Sequence, residues 1–329
     1  MASVCDFYPT PVSRPLPVAL AEGSPAERPA PAEPPSPTVP LTSLDDLWFQ
    51  VSGTVCNLRC SHCFISCSPE NDSFWFLSRE QVREALVDSV EHGVKEYYFT
   101  GGEPFMNRDI LGILEDTLAL GPATVLTNAT VLPGRRVEAL AQLAAASPYT
   151  LELRVSLDGT TPETNDDIRG EGAFGRALEG MERLVGAGFL PIVTCMRSWP
   201  EEDTPRVLAD FRELLAGIGY DRARIKILPP LQMGQEAKRT GGYRPYERVT
   251  RAMMEGFDAD QLLCSRSRLV TARGVWTCPI LLDTASARLG GGLDEAVEAP
   301  AVLSEPACWT CYRSGAICSN LPVGTETDR

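Results

Sequence analysis

The chain has 329 residues with 30 Lys and Arg against 44 Asp and Glu, a formal net charge of -14 and a pI near 4.7. That balance argues against electrostatic capture of nucleic acid or of an anionic membrane. No apolar run approaches the roughly 18 to 20 residues of a transmembrane helix, and the length allows one large domain, or one large and one small.

Eleven cysteines stand beside two histidines, His62 and His92, too few imidazoles for a His-rich zinc or non-haem iron site. The cysteine count is odd, the spacings are uneven, and the start MASVCDFYPTPVSRPLP has no signal-peptide pattern. Reduced cytoplasmic thiols serving as ligands or redox groups are expected rather than a disulfide framework.

Residues 1–44 hold eleven of the 27 prolines and few large apolar side chains, so they read as a disordered tail in which Cys5 has no role. From Leu47 apolar strands alternate with amphipathic helices. Strands are expected at 47–53, 95–101, 123–128, 150–159, 190–196 and 223–229, with helices at 78–92, 108–120, 134–146, 174–187 and 204–216. Ser78 and Gln81 form a capping-box pattern at the first helix. Strands separated by helix-length segments imply βαβ crossovers and a parallel sheet, and six repeats suit a partial (β/α)6 TIM-like barrel within the α/β class.

The first strand runs into VCNLRCSHCFISC, with Cys56, Cys60, Cys63 and Cys67. Loops at the C-terminal ends of barrel strands are where such folds build active sites. A zinc site would need a fourth ligand, with Cys67 or His62 near. A ferredoxin-like run fits poorly, because the first gap is three residues long. A three-cysteine iron–sulfur cluster would leave one iron open for a substrate or cofactor.

The spacing C-x3-C-x2-C, with GGEP after the next strand, resembles the radical S-adenosylmethionine (radical SAM) superfamily from about Leu47 to Pro230. The resemblance implies a four-iron cluster on Cys56, Cys60 and Cys63, with S-adenosylmethionine chelating the fourth iron. It implies contacts from Gly101, Gly102, Glu103 and Pro104 to the methionine amino group. Asn128 ends the third strand. Ser156 and Asp158 suit ribose hydroxyls, and Arg169 suits the cofactor carboxylate, with an ordinary ion pair as the plain alternative. His62 is placed near the adenine through its backbone and is not assigned as a ligand. Cys67 is either a small buried side chain or a functional thiol, and Cys195 reads as structural.

After Pro230 the alternation stops, and 233–263 reads as a linker with helical pieces. The segment 264–321 carries Cys264, Cys278, Cys308, Cys311 and Cys318. Two strand-borne cysteines bracketing a hairpin plus a distant CxxC resemble the SPASM or shortened twitch auxiliary-cluster domains of radical SAM enzymes. One auxiliary [4Fe-4S] cluster on Cys264, Cys278, Cys308 and Cys311 is expected, with structural zinc as the alternative and Cys318 either replacing one of these or serving as one ligand of an incomplete second site. Residues 322–329 read as a second disordered tail.

The resemblance implies an oxidoreductase-type enzyme that cleaves S-adenosylmethionine to a 5′-deoxyadenosyl radical and abstracts a substrate hydrogen. The substrate is a small molecule, or a peptide presented by a separate partner, and the electron donor is a flavodoxin or ferredoxin. Neither nucleic acid nor a membrane is an expected partner. A non-catalytic zinc or electron-transfer protein is the rival reading. Acid or base candidates between the two parts are Glu236, Tyr243, Tyr246 and Glu247, with Lys238 and Arg244 as anion contacts.

Overall fold

Six βα repeats unfold along the chain as expected in a computed structural model that describes residues 36–315 together with Ile317 and Cys318. In order they are β1 (Thr38–Val39), β2 (Asp46–Gln50), α1 (Arg79–Glu91), β3 (Glu96–Thr100), α2 (Ile110–Thr117), β4 (Ala123–Thr127) and α3 (Gly134–Ala146). There follow β5 (Leu151–Ser156), α4 (Pro162–Arg169), α5 (Ala173–Gly186), β6 (Ile192–Met196), α6 (Thr204–Gly217) and β7 (Arg224–Leu228). The C-terminal part holds α7 (Gly234–Thr240), α8 (Arg251–Met254), β8 (Ser267–Thr271), β9 (Gly274–Trp276), β10 (Arg288–Gly290), α9 (Leu293–Glu298), β11 (Ala301–Val302) and α10 (Ala307–Ser314).

Local signals start these elements where the sequence reading puts them. Ser78 caps α1 with the full reciprocal box to Gln81, and Pro162 opens α4 behind a second box at Thr161. The helix α4 was not anticipated, because its eight residues PETNDDIR carry one large apolar side chain, Ile168.

The nine-stranded sheet has the order β10-β9-β8-β2-β3-β4-β5-β6-β7. Neighbours from β8 through β7 are parallel, and β9 and β10 return antiparallel at one edge. The helices α1, α2, α3, α5 and α6 cover one face, burying Val82, Leu86, Ile113, Leu140, Met181, Leu184 and Phe211 against Phe49, Phe99, Val125, Val155 and Val193. That one-sided cover bends the sheet into the partial barrel of an α/β protein. A second apolar cluster lies on the inner face, where Trp48 and Tyr98 stack 4.3 Å apart among residues of the C-terminal segment.

Two expectations about the chain's ends meet the structure. Residues 36–44, expected within the tail, are ordered: β1 pairs antiparallel with β11, and Val39 is fully buried beside Ala301 and Leu303. Proline cannot donate a ladder hydrogen bond, but β1 has one partner strand only, so Pro37 and Pro40 are tolerated beside it. The tails expected at 1–35 and 322–329 lie outside the described residues. The strand β8 of the C-terminal cysteine segment is also hydrogen-bonded into the barrel sheet, with Ser267 opposite Asp46 and Leu269 opposite Trp48.

Candidate functional site

The β2 strand ends at Gln50, and the next residues turn sharply so that Val55 and Cys56 lie over the end of the sheet. Backbone bonds fix the loop that carries Cys56, Cys60, Cys63 and Cys67: Cys56 N donates to Ser68 O, and Ser61 N to Ile168 O at 2.7 Å. The helix α7 docks on it from above, with Gln235 N donating to Cys63 O at 2.9 Å. All four thiols gather in one small cluster with Leu58 and Ala173.

Their electrostatics differ. Burial pushes Cys56 up to about 12, against the Leu58 N–H that reaches its sulfur at 3.4 Å. Burial also raises Cys60. Cys63 runs the other way, to about 6, because the Cys67 thiol donates to it and the Cys67 N–H approaches at 3.2 Å. That bond correspondingly holds Cys67 protonated. The structure thus gives Cys67 a position: it donates to the sulfur of Cys63.

The GGEP turn leaves β3 alongside this loop. A Cβ on Gly102 would strike Val55 O and Cys56 N, and one on Gly101 would strike Ser52. The two glycines therefore let the turn pass against the cysteine loop, with Gly102 N bonded to Gly53 O and Glu103 N to Val55 O. Pro104 opens the short turn that follows. Glu103 is fully buried and accepts from Thr127 Oγ1 at 2.8 Å, Asn128 N at 2.7 Å and Phe105 N at 3.0 Å. Burial raises its pKa while those donors oppose the rise. A carboxylate offers about four lone-pair positions, so three donors leave one for an ammonium group.

Asn128 sits between the two motifs. Its amide nitrogen donates to Asn57 Oδ1 at 3.0 Å and lies 3.8 Å from the Cys56 sulfur, while its oxygen accepts from Thr130. Asn57, which the sequence reading passed over, closes this ring through Thr130 Oγ1 at 2.8 Å.

Beyond β5, Asp158 joins three elements. Its Oδ2 lies 2.6 Å from both His62 Nε2 and Arg169 Nε, and its Oδ1 accepts from Met196 N at 2.8 Å. Burial favours its neutral form, but the charges of Arg169 and His62 prevail and hold the carboxyl well below its usual range. Arg169 is likewise disfavoured by burial and restored by Asp158. Two residues expected at separate parts of a cofactor are therefore paired to each other, and His62 contributes a side chain where only its backbone was expected. Ser156 ends β5 half-buried, in register with Thr194.

The second cysteine group comes together from three segments. Cys264 lies in the turn before β8, Cys278 follows β9, and Cys308 and Cys311 stand one helical turn apart on α10. The two hairpin cysteines, expected on strands, flank them instead. All four line one cavity of about 30 Å³ walled by Leu262, Ile280, Leu281 and Leu303. Burial pushes Cys264 up to about 12 and raises Cys278, Cys308 and Cys311. Cys318 lies in electrostatic range of Cys311 and Cys278. Among the described residues no three His, Cys, Asp or Glu side chains converge on a single-ion site. The ten described cysteines are all free thiols.

The other candidates have ordinary partners. Glu236 is buried and paired with Arg239 at 2.8 Å, and Tyr243 OH meets Thr310 Oγ1 at 2.6 Å. Glu247 accepts from Arg244 N, Arg244 donates to the exposed Tyr246, and Lys238 is exposed.

The Radical SAM superfamily model matches residues 51–211. GTP 3',8-cyclase of Tolumonas auensis is 32% identical over 140 residues, 42% of this chain and 40% of that protein. Mycofactocin maturase MftC of Mycolicibacterium smegmatis is 34% identical over 138 residues, 41% of this chain and 33% of the maturase. The match thus spans well under half of these relatives' length. Among solved structures, Streptococcus suis SuiB bound to its precursor peptide SuiA superposes with a TM-score of 0.59 at 15% identity, over 79% of this chain and 66% of SuiB. Native anSMEcpe with bound AdoMet gives 0.56 at 15% identity, over 77% of this chain and 80% of the other. At that identity the likeness is one of fold.

Proposed function

Because residues 51–211 form a domain of the radical SAM superfamily, we propose that the chain is a radical SAM enzyme with a second iron–sulfur site. Its primary [4Fe-4S] cluster is held by Cys56, Cys60 and Cys63. When bound, that cluster supplies the low-potential electron that cleaves S-adenosylmethionine to the 5′-deoxyadenosyl radical, the abstractor of a substrate hydrogen.

The observation that carries this reading is the meeting of three strand ends over one thiol loop: Glu103 after β3, Asn128 after β4 and Asp158 after β5. Glu103 keeps one lone pair for the methionine ammonium. The Asp158–Arg169–His62 junction sets the shape of the wall beside Cys60, and Ser156 and Asp158 face the ribose. Gly101, Gly102 and Pro104 place the Glu103 carboxylate. Arg169 approaches the cofactor carboxylate from its pair with Asp158.

The auxiliary [4Fe-4S] cluster takes Cys264, Cys278, Cys308 and Cys311, in a SPASM- or twitch-like segment spanning 264–321, joined by 233–263 to a barrel spanning 45–232. A cluster there accepts an electron from a substrate radical, which makes the net reaction an oxidation or a bond-forming modification of the oxidoreductase type. A peptide is the substrate class that the relatives favour, since MftC is a maturase and the SuiB structure holds a precursor peptide. A flavodoxin or ferredoxin supplies electrons, and the many free thiols suit a cytoplasmic setting. Among the described residues no helix is long and apolar enough to cross a membrane.

Anaerobic reconstitution with iron and sulfide counting tests this. About eight iron per chain, with 5′-deoxyadenosine released on reduction in the presence of S-adenosylmethionine, is expected. Zinc without sulfide, or two intact clusters that never cleave S-adenosylmethionine, would sink the reading.

A further inference from the structure

The inner face of the sheet carries a cationic wall that neither cysteine site uses. Along β5, β6 and β7, Val155, Val193 and Ile225 point into the helix-covered core. Side chains alternate along a strand, so Arg154, Ser156, Thr194 and Lys226 point the other way. Ser156 is in register with Thr194, and Thr194 with Lys226, so these three form one row across the strands. Arg154 lies two residues below Ser156. The row sits one step beneath Asp158 and Met196, which close the cofactor side through their 2.8 Å hydrogen bond.

This wall is buried, with Arg154 2%, Lys226 8% and Thr194 9% exposed. Among the described residues Arg154 makes no ion pair, and its Nε has no hydrogen-bond partner. Thr194 Oγ1 is likewise buried without one. Among the described residues Arg154 donates from Nη1 to Cys318 O at 2.6 Å, which ties the wall to the second cysteine site. A buried guanidinium is costly unless a counter-charge meets it. Lysine is also scarce: the chain has 27 Arg and only Lys95, Lys226 and Lys238. One of those three stands on this wall.

We propose that Arg154, Lys226 and Thr194 form the anchoring pocket for a carboxylate group of the substrate, placed between the two cysteine sites. This rests on the reading above that the chain is a radical SAM enzyme with a second iron–sulfur site. With Nη1 committed to Cys318 O, the Nε–Nη2 edge of Arg154 presents two parallel N–H groups, the geometry that matches both oxygens of a carboxylate. The Lys226 ammonium adds its charge, and the Thr194 hydroxyl adds a further donor. Burial, helped by the neighbouring Arg154 charge, lowers Lys226 to about 7, and a bound anion restores its charge.

The test is equilibrium dialysis of the anaerobic holoenzyme against radiolabelled succinate, its neutral diamide and inorganic phosphate. Expected are saturable succinate binding, none by the diamide, and phosphate at least about tenfold weaker. Arg154→Met and Lys226→Met should each weaken succinate by about tenfold or more, and Thr194→Val by roughly threefold. If the two charge variants lose their iron, the conservative Thr194→Val decides alone. Absent saturation, diamide binding equal to succinate, tighter phosphate, or unchanged affinity in the variants overturns the proposal. The dialysis needs no S-adenosylmethionine. Succinate binding in this pattern without 5′-deoxyadenosine release sinks the proposed function and leaves the pocket standing. Release of 5′-deoxyadenosine without such binding sinks the pocket alone.

Discussion

The two cysteine sites hold thiols in opposite ways. Cys56, Cys60 and Cys63 lie on one loop of eight residues, ringed by polar groups from three strand ends, with N–H donors aimed at two of the sulfurs. The second site draws its thiols from three segments and surrounds them with leucine and isoleucine side chains. A loop preorganised by the sheet keeps its shape whatever it holds. A cavity assembled from distant segments relies on its occupant to tie those segments together, as metal binding and folding are coupled where the core is small. Under the proposed function, this difference would separate an open centre that exchanges a cofactor from a closed one that moves electrons.

Breaking each thiol set should show this asymmetry most strongly. Cys56→Ala, Cys60→Ala and Cys63→Ala together should abolish 5′-deoxyadenosine release and remove about four iron per chain, with little change in melting temperature. Cys308→Ala with Cys311→Ala should also remove about four iron, but lower the melting temperature by about 10 °C or more. Hydrogen exchange should report the loss over 264–315. Equal melting in both variants would dissolve the contrast.

A smaller effect sharpens the polar ring. In Asp158→Asn, Arg169 and His62 lose the charge between them while staying buried, at 9% and 11% side-chain exposure. Removing one partner of a buried pair costs about 3–5 kcal/mol, so urea unfolding at pH 7 should register a loss of that order. The Asp158 pKa is depressed in the fold. Its contribution is therefore fully present above the unfolded carboxyl range and is lost only as pH falls through the folded value. A loss under about 1 kcal/mol would show that the junction is not an ion pair of this kind.

Legibility followed sequence distance. The first thiol loop, the GGEP turn and the six strands were readable because each is local: alternating apolar residues set strand faces, and Ser78 with Gln81 marks a helix start. The glycines of GGEP were readable as positions of close approach, yet what they approach is Ser52 and the Val55–Cys56 backbone, a contact created only when β2 and β3 pair. His62 meeting Asp158, 96 residues on, needs the same tertiary closure. The order of residues 36–44 was hidden by their prolines, since composition describes a free chain and not the edge of β11. Arg154 and Lys226 passed unnoticed because each sits alone in an apolar strand, and only strand register makes them neighbours.

The seam between the two regions gives the smallest and most exact test. Asp46 opens β2, opposite Glu96 on one side and Ser267 on the other, so it stands where the C-terminal hairpin joins the barrel. It is 7% exposed, and Arg266 Nε approaches only to 3.7 Å. Burial therefore outweighs the arginine and raises Asp46 to about 6. A carboxyl raised in the fold opposes folding where it is ionised. The penalty is absent below its unfolded value, grows as pH rises towards the folded pKa, and is complete above it. Asp46→Asn should accordingly be more stable than the parent by roughly 1–3 kcal/mol at pH 8, with the advantage shrinking as pH falls from about 6 to 4. Chemical denaturation across that range measures it. An advantage that persists undiminished in acid would place the penalty in packing; a loss of stability at pH 8 would mean that the Arg266 contact, and not burial, governs the join between barrel and hairpin.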